Sequence, residues 1–166
     1  INMTFGRTPL LYYRDDIGTT NYTTYVADET KSGDTRWMHR PRYDWDKAEL
    51  RHKPNTIEGR IFNALKKMIS VRKEVAAFAD FNNRELRDSG NPHLFVFCRV
   101  NHQQSSDRVL VVGNFDAHPQ HMELDDLNET GIMHTQLHDL YSGEKPAMFK
   151  NALVIPPYRF YWLQAR

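Results

Sequence analysis

Ten consecutive residues, Arg36-Trp37-Met38-His39-Arg40-Pro41-Arg42-Tyr43-Asp44-Trp45, bring together three arginines, a histidine and three aromatic rings. Such a set suits a sugar site. Trp and Tyr faces stack on the apolar face of a pyranose, while guanidinium forks and imidazole reach its hydroxyls. The same groups would also stack bases and pair with phosphates. Against that use, Asp44, Asp46 and Glu49 follow at once, and 22 Lys and Arg against 21 Asp and Glu leave a net charge of +1. No basic field for nucleic acid or an anionic membrane is expected. A third use is structural: a loop held to its own protein by Arg and carboxylate pairs.

Other residues with chemical potential are weaker candidates. Asp15 and Asp16 resemble a pair for glycoside hydrolysis, which needs two carboxyls flanking one bond. Neighbours at a strand end point to opposite sides, however, so they read as loop-anchoring and capping carboxylates. Eight histidines fall in neither HExxH nor paired Cys and His spacing, so no metal is expected. His118 and His121 flank Pro119 and read as solvated surface residues. The absence of GxGxxG, P-loop and GxSxG patterns gives nucleotide binding and serine hydrolysis no support, and no cofactor is expected. Cys98 is the single cysteine, inside the apolar run Leu94 to Cys98, and reads as a small core hydrophobe.

The elements that must position these residues follow from hydrophobic period. Pro9-Leu10-Leu11-Tyr12-Tyr13 breaks into Arg14-Asp15-Asp16, as a fully buried strand whose carboxyl end meets a polar site. Gly18 to about Lys53 shows no sustained period, and so long a loop in a compact domain is usually functional. Asn55 with Glu58 three residues on reads as a helix start. Ile61, Phe62, Leu65, Met68 and Ile69 then predict an amphipathic helix over 57–77. Beyond Ala79, short runs at 93–101, 108–116, 119–124, 133–141 and 151–165 predict an antiparallel sandwich. Pro156-Pro157 within the last run marks an edge or a break between two strands.

Five stretches together give the chain a resemblance. Pro9 to Gly18 (PLLYYRDDIG) resembles the eighth barrel strand and following turn of the α-amylase superfamily. Asp34 to Trp45 (DTRWMHRPRYDW) resembles the loop of amylosucrases, and Thr56 to Arg72 is similar to the helix after it. Val109 to Phe115 and Leu153 to Tyr158 resemble the β-sandwich that ends such enzymes. The implied fold class is an α+β fragment: the last β-strand, long loop and helix of a (β/α)8 barrel, followed by an antiparallel β-sandwich. Residues 1–78 would be the barrel end and 79–166 the sandwich. A complete barrel needs roughly 250 residues, more than the 166 here.

The resemblance implies a parent enzyme with retaining chemistry on sucrose, in which a carboxylate attacks the glucosyl carbon and an α-glucan end or water accepts the glucose. Its nucleophile, acid/base and stabilising carboxylates come from earlier strands, so no catalytic residue is assigned here and the chain alone is expected to be inactive. Implied substrate-binding residues are Arg40, Arg42, His39, Trp37 and Asp15, with one arginine of His39-Arg40-Pro41-Arg42 walling the glucosyl pocket. Arg14 and Asp16 stand where the family usually has Gly and Glu. The implied partners are sucrose, α-glucan and the remainder of the barrel. A sucrose hydrolase or α-glucosidase fragment is the near alternative, and a non-catalytic carbohydrate-binding sandwich the distant one. The opening Ile1-Asn2-Met3-Thr4 has no charged n-region or apolar h-region; it reads as an internal start, without a secretion signal and with a cytoplasmic location favoured.

Overall fold

The computed structural model describes residues 1–6, 8–104, 107–123 and 137–165. By internal contacts it divides into two compact units, one of residues 1–10 and 68–166, the other of residues 11–67. This division runs elsewhere than the expected 78/79 boundary.

The larger unit is a two-sheet antiparallel structure. Strands β1 (Arg84–Arg87), β2 (Leu94–Val100), β3 (Arg108–Asn114), β4 (Gln120–Glu123), β5 (Leu137–Asp139), β6 (Met148–Phe149), β7 (Ala152–Ile155) and β8 (Phe160–Ala165) follow in chain order. They form a five-stranded sheet, β1-β2-β3-β8-β5, and a three-stranded sheet, β4-β7-β6. The central pairing sets Val96 opposite Val112 and Cys98 opposite Leu110. Alternation then sends one side-chain set into the core formed by Val96, Cys98, Leu110, Val112, Met122, Leu137, Leu153, Ile155 and Leu163. Phe97 and Trp162 project from the other side of the large sheet, where Phe5 lies 5.3 Å from Phe97 and Phe78 lies 5.3 Å from Trp162, ring to ring. Covered on both faces, β2 and β3 are almost wholly buried. Asp139 closes one corner, its buried carboxylate accepting from the backbone N–H of Ser142 and Trp162 at 2.8 Å.

The expected sandwich is therefore present, with Cys98 buried in it. Pro156-Pro157 resolves as a break: β7 ends at Ile155 and β8 begins at Phe160. Leu124 and residues 133–136, parts of two expected strands, lie outside the described residues. The unanticipated β1 is a charged edge strand, Arg-Glu-Leu-Arg, a composition that discourages further pairing and hides a strand from a hydrophobic reading.

In the smaller unit the expectations need correction. Residues 9–13 form no strand, and Leu10 and Tyr13 are 77% and 54% exposed. A parallel strand needs neighbours on both sides, and the ladder this apolar run is shaped for is not among the described residues. The long loop contains short helical turns at Thr23–Ala27, Thr35–His39 and Leu50–His52, with helix α1 at Trp45–Glu49. Asp34 and Asp44 each accept from a backbone N–H two or three residues on, which starts the Thr35–His39 turn and α1 respectively.

Helix α2 spans Ile57–Glu74, three residues shorter than expected. Its cap is Thr56 rather than Asn55: the Thr56 hydroxyl accepts from Gly59 N at 3.1 Å and donates to the carbonyl of Lys53 or Leu50. Glu58 does not reach back but lies buried, 3.6 Å from Lys47 Nζ. Gly59 is required by close approach, since a Cβ there would collide with the Lys53 carbonyl. Most of the apolar stripe on α2 is half-buried.

Candidate functional site

Within the smaller unit the turn after residue 13 is built on unusual backbone. Arg14 has φ 77°, in the left-handed region where a side chain is disfavoured, and Gly18 closes the Asp15–Ile17 turn at φ 60°. Position 14 therefore has the conformation for which glycine is usually kept, and this chain places an arginine there. Gly18 has a second constraint, because a Cβ would collide with Ile61 of α2.

Arg14 explains its own retention by what it holds. Its side chain is buried, and its two terminal nitrogens donate to the backbone carbonyls of His39 (3.3 Å), Pro41 and Arg42 (3.4 Å). The Tyr12 hydroxyl donates to the same His39 carbonyl at 3.4 Å. Two segments 25 residues apart are thereby pinned together. Asp15 anchors the turn, its Oδ2 accepting from Tyr12 N at 2.8 Å. Among the described residues Asp15 and Asp16 share no hydrogen-bond partner.

Tyr12, Tyr13, Arg14, Asp15, Thr19, Thr20, Asn21, His39 and Pro41 line a cavity of about 90 Å³. Of the five expected binding residues, Asp15 and His39 meet in this cavity. Trp37, Arg40 and Arg42 do not line it; all three are exposed on the neighbouring loop. Trp37 has Lys31 Nζ 5.6 Å from its ring centre. Among the described residues neither Arg40 nor Arg42 has a carboxylate within 4 Å, whereas Arg36 grips Asp34 at 2.8–3.0 Å. Beside them Tyr13, Tyr43 and Trp45 form a chain of rings, 5.6 and 4.6 Å apart, with Trp45 mostly exposed.

Charge on this loop is set by local hydrogen bonds. The Arg36 side chain and backbone N–H hold the Asp34 carboxyl down to about 2, and the Lys31 and Thr30 side chains do the same for Asp28. Both acids are ionised and already occupied near neutral pH, so neither is placed as a general acid. Arg51 lies half-buried with its guanidinium 5.7 Å from the Phe62 ring centre, and Lys53 is exposed.

Sequence reasoning missed Thr19, Thr20 and Asn21. Their signal was the polar run directly after the Gly18 turn, where a strand end opens onto a site. Arg14 was noticed only as a departure, and its role as an anchor required the geometry. Among the described residues no group of three His, Cys, Asp or Glu side chains is gathered to hold a metal, and no helix is long and apolar enough to cross a membrane.

The class these features define is that of a small α+β fold with antiparallel sheets. No protein-family model matches the chain. Among solved structures, the pullulanase from Anoxybacillus sp. LM18-11, with and without maltotriose, is similar over 74% of this chain and 16% of its own, at TM-score 0.50 and 14% identity. The trehalulose synthase MutB from Pseudomonas mesoacidophila MX-45 is similar over 71% of this chain and 20% of its own, at TM-score 0.44 and 21% identity. At these identities the likeness is one of fold, and the chain spans about a fifth or less of those structures' length.

Proposed function

We propose that this chain is the C-terminal part of a retaining, sucrose-acting glucosyltransferase of amylosucrase type. The parent transfers glucose from sucrose to an α-glucan or water, and the fragment alone is inactive. One observation carries the reading. The turn after the last barrel-like segment and the His39-Arg40-Pro41-Arg42 loop, distant in sequence, are fastened to each other by Arg14 and Tyr12 around a cavity lined by Asp15 and His39. The fold supports the superfamily; the residues of the loop support the narrower specificity.

In the parent, residues 9–13 would be the final strand, and their exposed apolar side chains would be covered by neighbouring barrel strands. The loop would sit at the carboxyl end of the strands, where barrel enzymes hold their substrates. Arg40 and Arg42, exposed and without a carboxylate within 4 Å among the described residues, would be free to pair with a carboxylate from another barrel loop. On this reading the catalytic carboxylates come from those other strands, while Asp15 accepts from Tyr12 N and anchors the turn.

The test is kcat/KM for sucrose in the complete enzyme with Arg40→Ala, Arg42→Ala and Lys53→Ala, each checked for intact folding. Loss of the arginine that pairs in the sugar pocket strands its partner's charge and costs about 3–5 kcal/mol. Lys53→Ala, at an exposed position, costs about 0–1 kcal/mol. If all three variants stay within about threefold of the parent, a difference under ~1 kcal/mol, the loop is structural and the reading fails.

A further inference from the structure

We propose that the groove beside the start of β2 and the end of β3 is the seat of an amphipathic helix, formed by the residues directly upstream of Ile1 in the parent protein. This rests on the reading of the chain as the C-terminal part of a longer enzyme, and not on what that enzyme acts on. Residues 1–5 make one α-helical turn. The Ile1 carbonyl accepts from Thr4 N at 2.9 Å and from Phe5 N at 3.0 Å, and the second bond is the i to i+4 closure of an α-helix.

The turn has the features of a helix end. The last carbonyls of a helix lack partners within it and are often taken by basic side chains. Here the Arg72 guanidinium donates to the Met3 carbonyl at 2.6 Å, and the Arg99 guanidinium to that of Thr4. Gly6 follows at φ 130°, where a Cβ would press on the Phe81 carbonyl, and the helical path stops. Its other direction, upstream from Ile1, is the one left for it to run.

The groove says which face such a helix presents. Ile1 and Phe5, four residues apart, share one side of the turn. Phe5 packs on Phe95 and Phe97 at 5.8 and 5.3 Å between ring centres. Ile1 forms one wall of a groove of about 470 Å³, completed by Pro92, His93, Leu94, Phe95 and Phe115. Gly113 leaves room on the sheet for these side chains, since a Cβ there would stand 3.4 Å from Phe115 Cε2 and 3.7 Å from Ile1 Cδ1. Among the described residues no Lys, Arg, Asp or Glu lines the groove, and its one polar side chain, His93, already has Nδ1 2.9 Å from Asp116. Phe115 is nevertheless 63% exposed. Positions three, four and seven before Ile1 fall on its side of a helix, so apolar residues there close the groove as helices fill grooves elsewhere. A sugar or a charged peptide finds little to bond. Seated in this way, the upstream helix holds the sandwich to the rest of the parent as one body, not as a module on a tether.

The experiment introduces Phe115→Cys into the complete protein and into the 166-residue chain, and follows iodoacetamide labelling of that position by mass spectrometry. The site is exposed, and the native Cys98 is buried. Glu123→Cys, at an exposed position of the small sheet, is the control. Labelling at 115 is expected to be about tenfold or more slower in the complete protein, because a position under a stable helix reacts only after local opening. Labelling at 123 is expected to be alike in both, and amides just upstream of Ile1 to exchange slowly. The proposal is overturned if position 115 labels equally fast in both, if position 123 slows as much, or if 115 is protected while the upstream amides exchange as in an unstructured chain. Protection of 115 by self-association of the 166-residue chain overturns it too, as does a reading frame with fewer than about seven residues, two helical turns, before Ile1. None of these readouts involves sucrose. Failure here leaves the sucrose reading standing, and a covered groove survives a complete protein that ignores sucrose.

Discussion

Arg14 shows how far single residues can be read without coordinates. Its oddity was visible, a long charged side chain where the backbone wants glycine, and the structure confirms the left-handed φ of 77°. What the sequence could not show is that the guanidinium returns over a 25-residue gap to three carbonyls. Backbone acceptors leave no trace in residue type, whereas a carboxylate partner would have. Asp34 is the opposite case, legible because its partner Arg36 is two residues away. Its folded-state pKa, about 2, lies below the ordinary 3.8 because the Arg36 side chain and N–H bind the ionised form. The stabilisation of this turn is therefore complete above about pH 4 and is lost as pH falls toward 2. A carboxyl-carbon titration of Asp34 should give a midpoint near 2, rising when Arg36 is replaced by Gln; a midpoint near 3.8 in the parent chain would contradict the pairing.

At the scale of elements, period and turn chemistry served where neighbours are local. The sandwich strands and α2 were readable because their apolar patterns match the faces they bury. The strand over 9–13 was not formed, although its pattern is that of a buried parallel strand, since hydrophobicity reports the environment a segment evolved for and a ladder needs partners. β1 was missed for the converse reason: its charged residues suit an edge. One tie between elements is equally invisible in sequence. Arg99 of β2 is fully buried with no carboxylate bonded to it among the described residues, donating to Asn83 Oδ1 and to the backbone carbonyls of Thr4 and Asp80. Burial accordingly lowers its pKa to about 10. Arg99→Met would leave three acceptors without their donor and should cost at least about 3 kcal/mol. Urea unfolding measures it. A loss below ~1 kcal/mol would mean that these carbonyls find other donors and that Arg99 is not what fastens the first residues to the sheet.

On the scale of the whole molecule, burial is uneven between the two units. Among the described residues, the fully buried apolar side chains of 11–67 are Ile17, Tyr25 and Ala48, while the remainder of the core belongs to the other unit. Leu10, Tyr12, Tyr13 and Trp45 meanwhile lie exposed. A sandwich can complete its own core with local turns; on the function proposed above, residues 11–67 are a barrel end, whose apolar surface other strands would cover. The most direct measurement is fructose release from sucrose by the protein of the complete reading frame, beside the 166-residue chain alone. The account predicts turnover by the complete protein and none above buffer by the chain. A complete protein that leaves sucrose intact, or a chain that cleaves it by itself and loses that activity on Asp15→Asn, would contradict it.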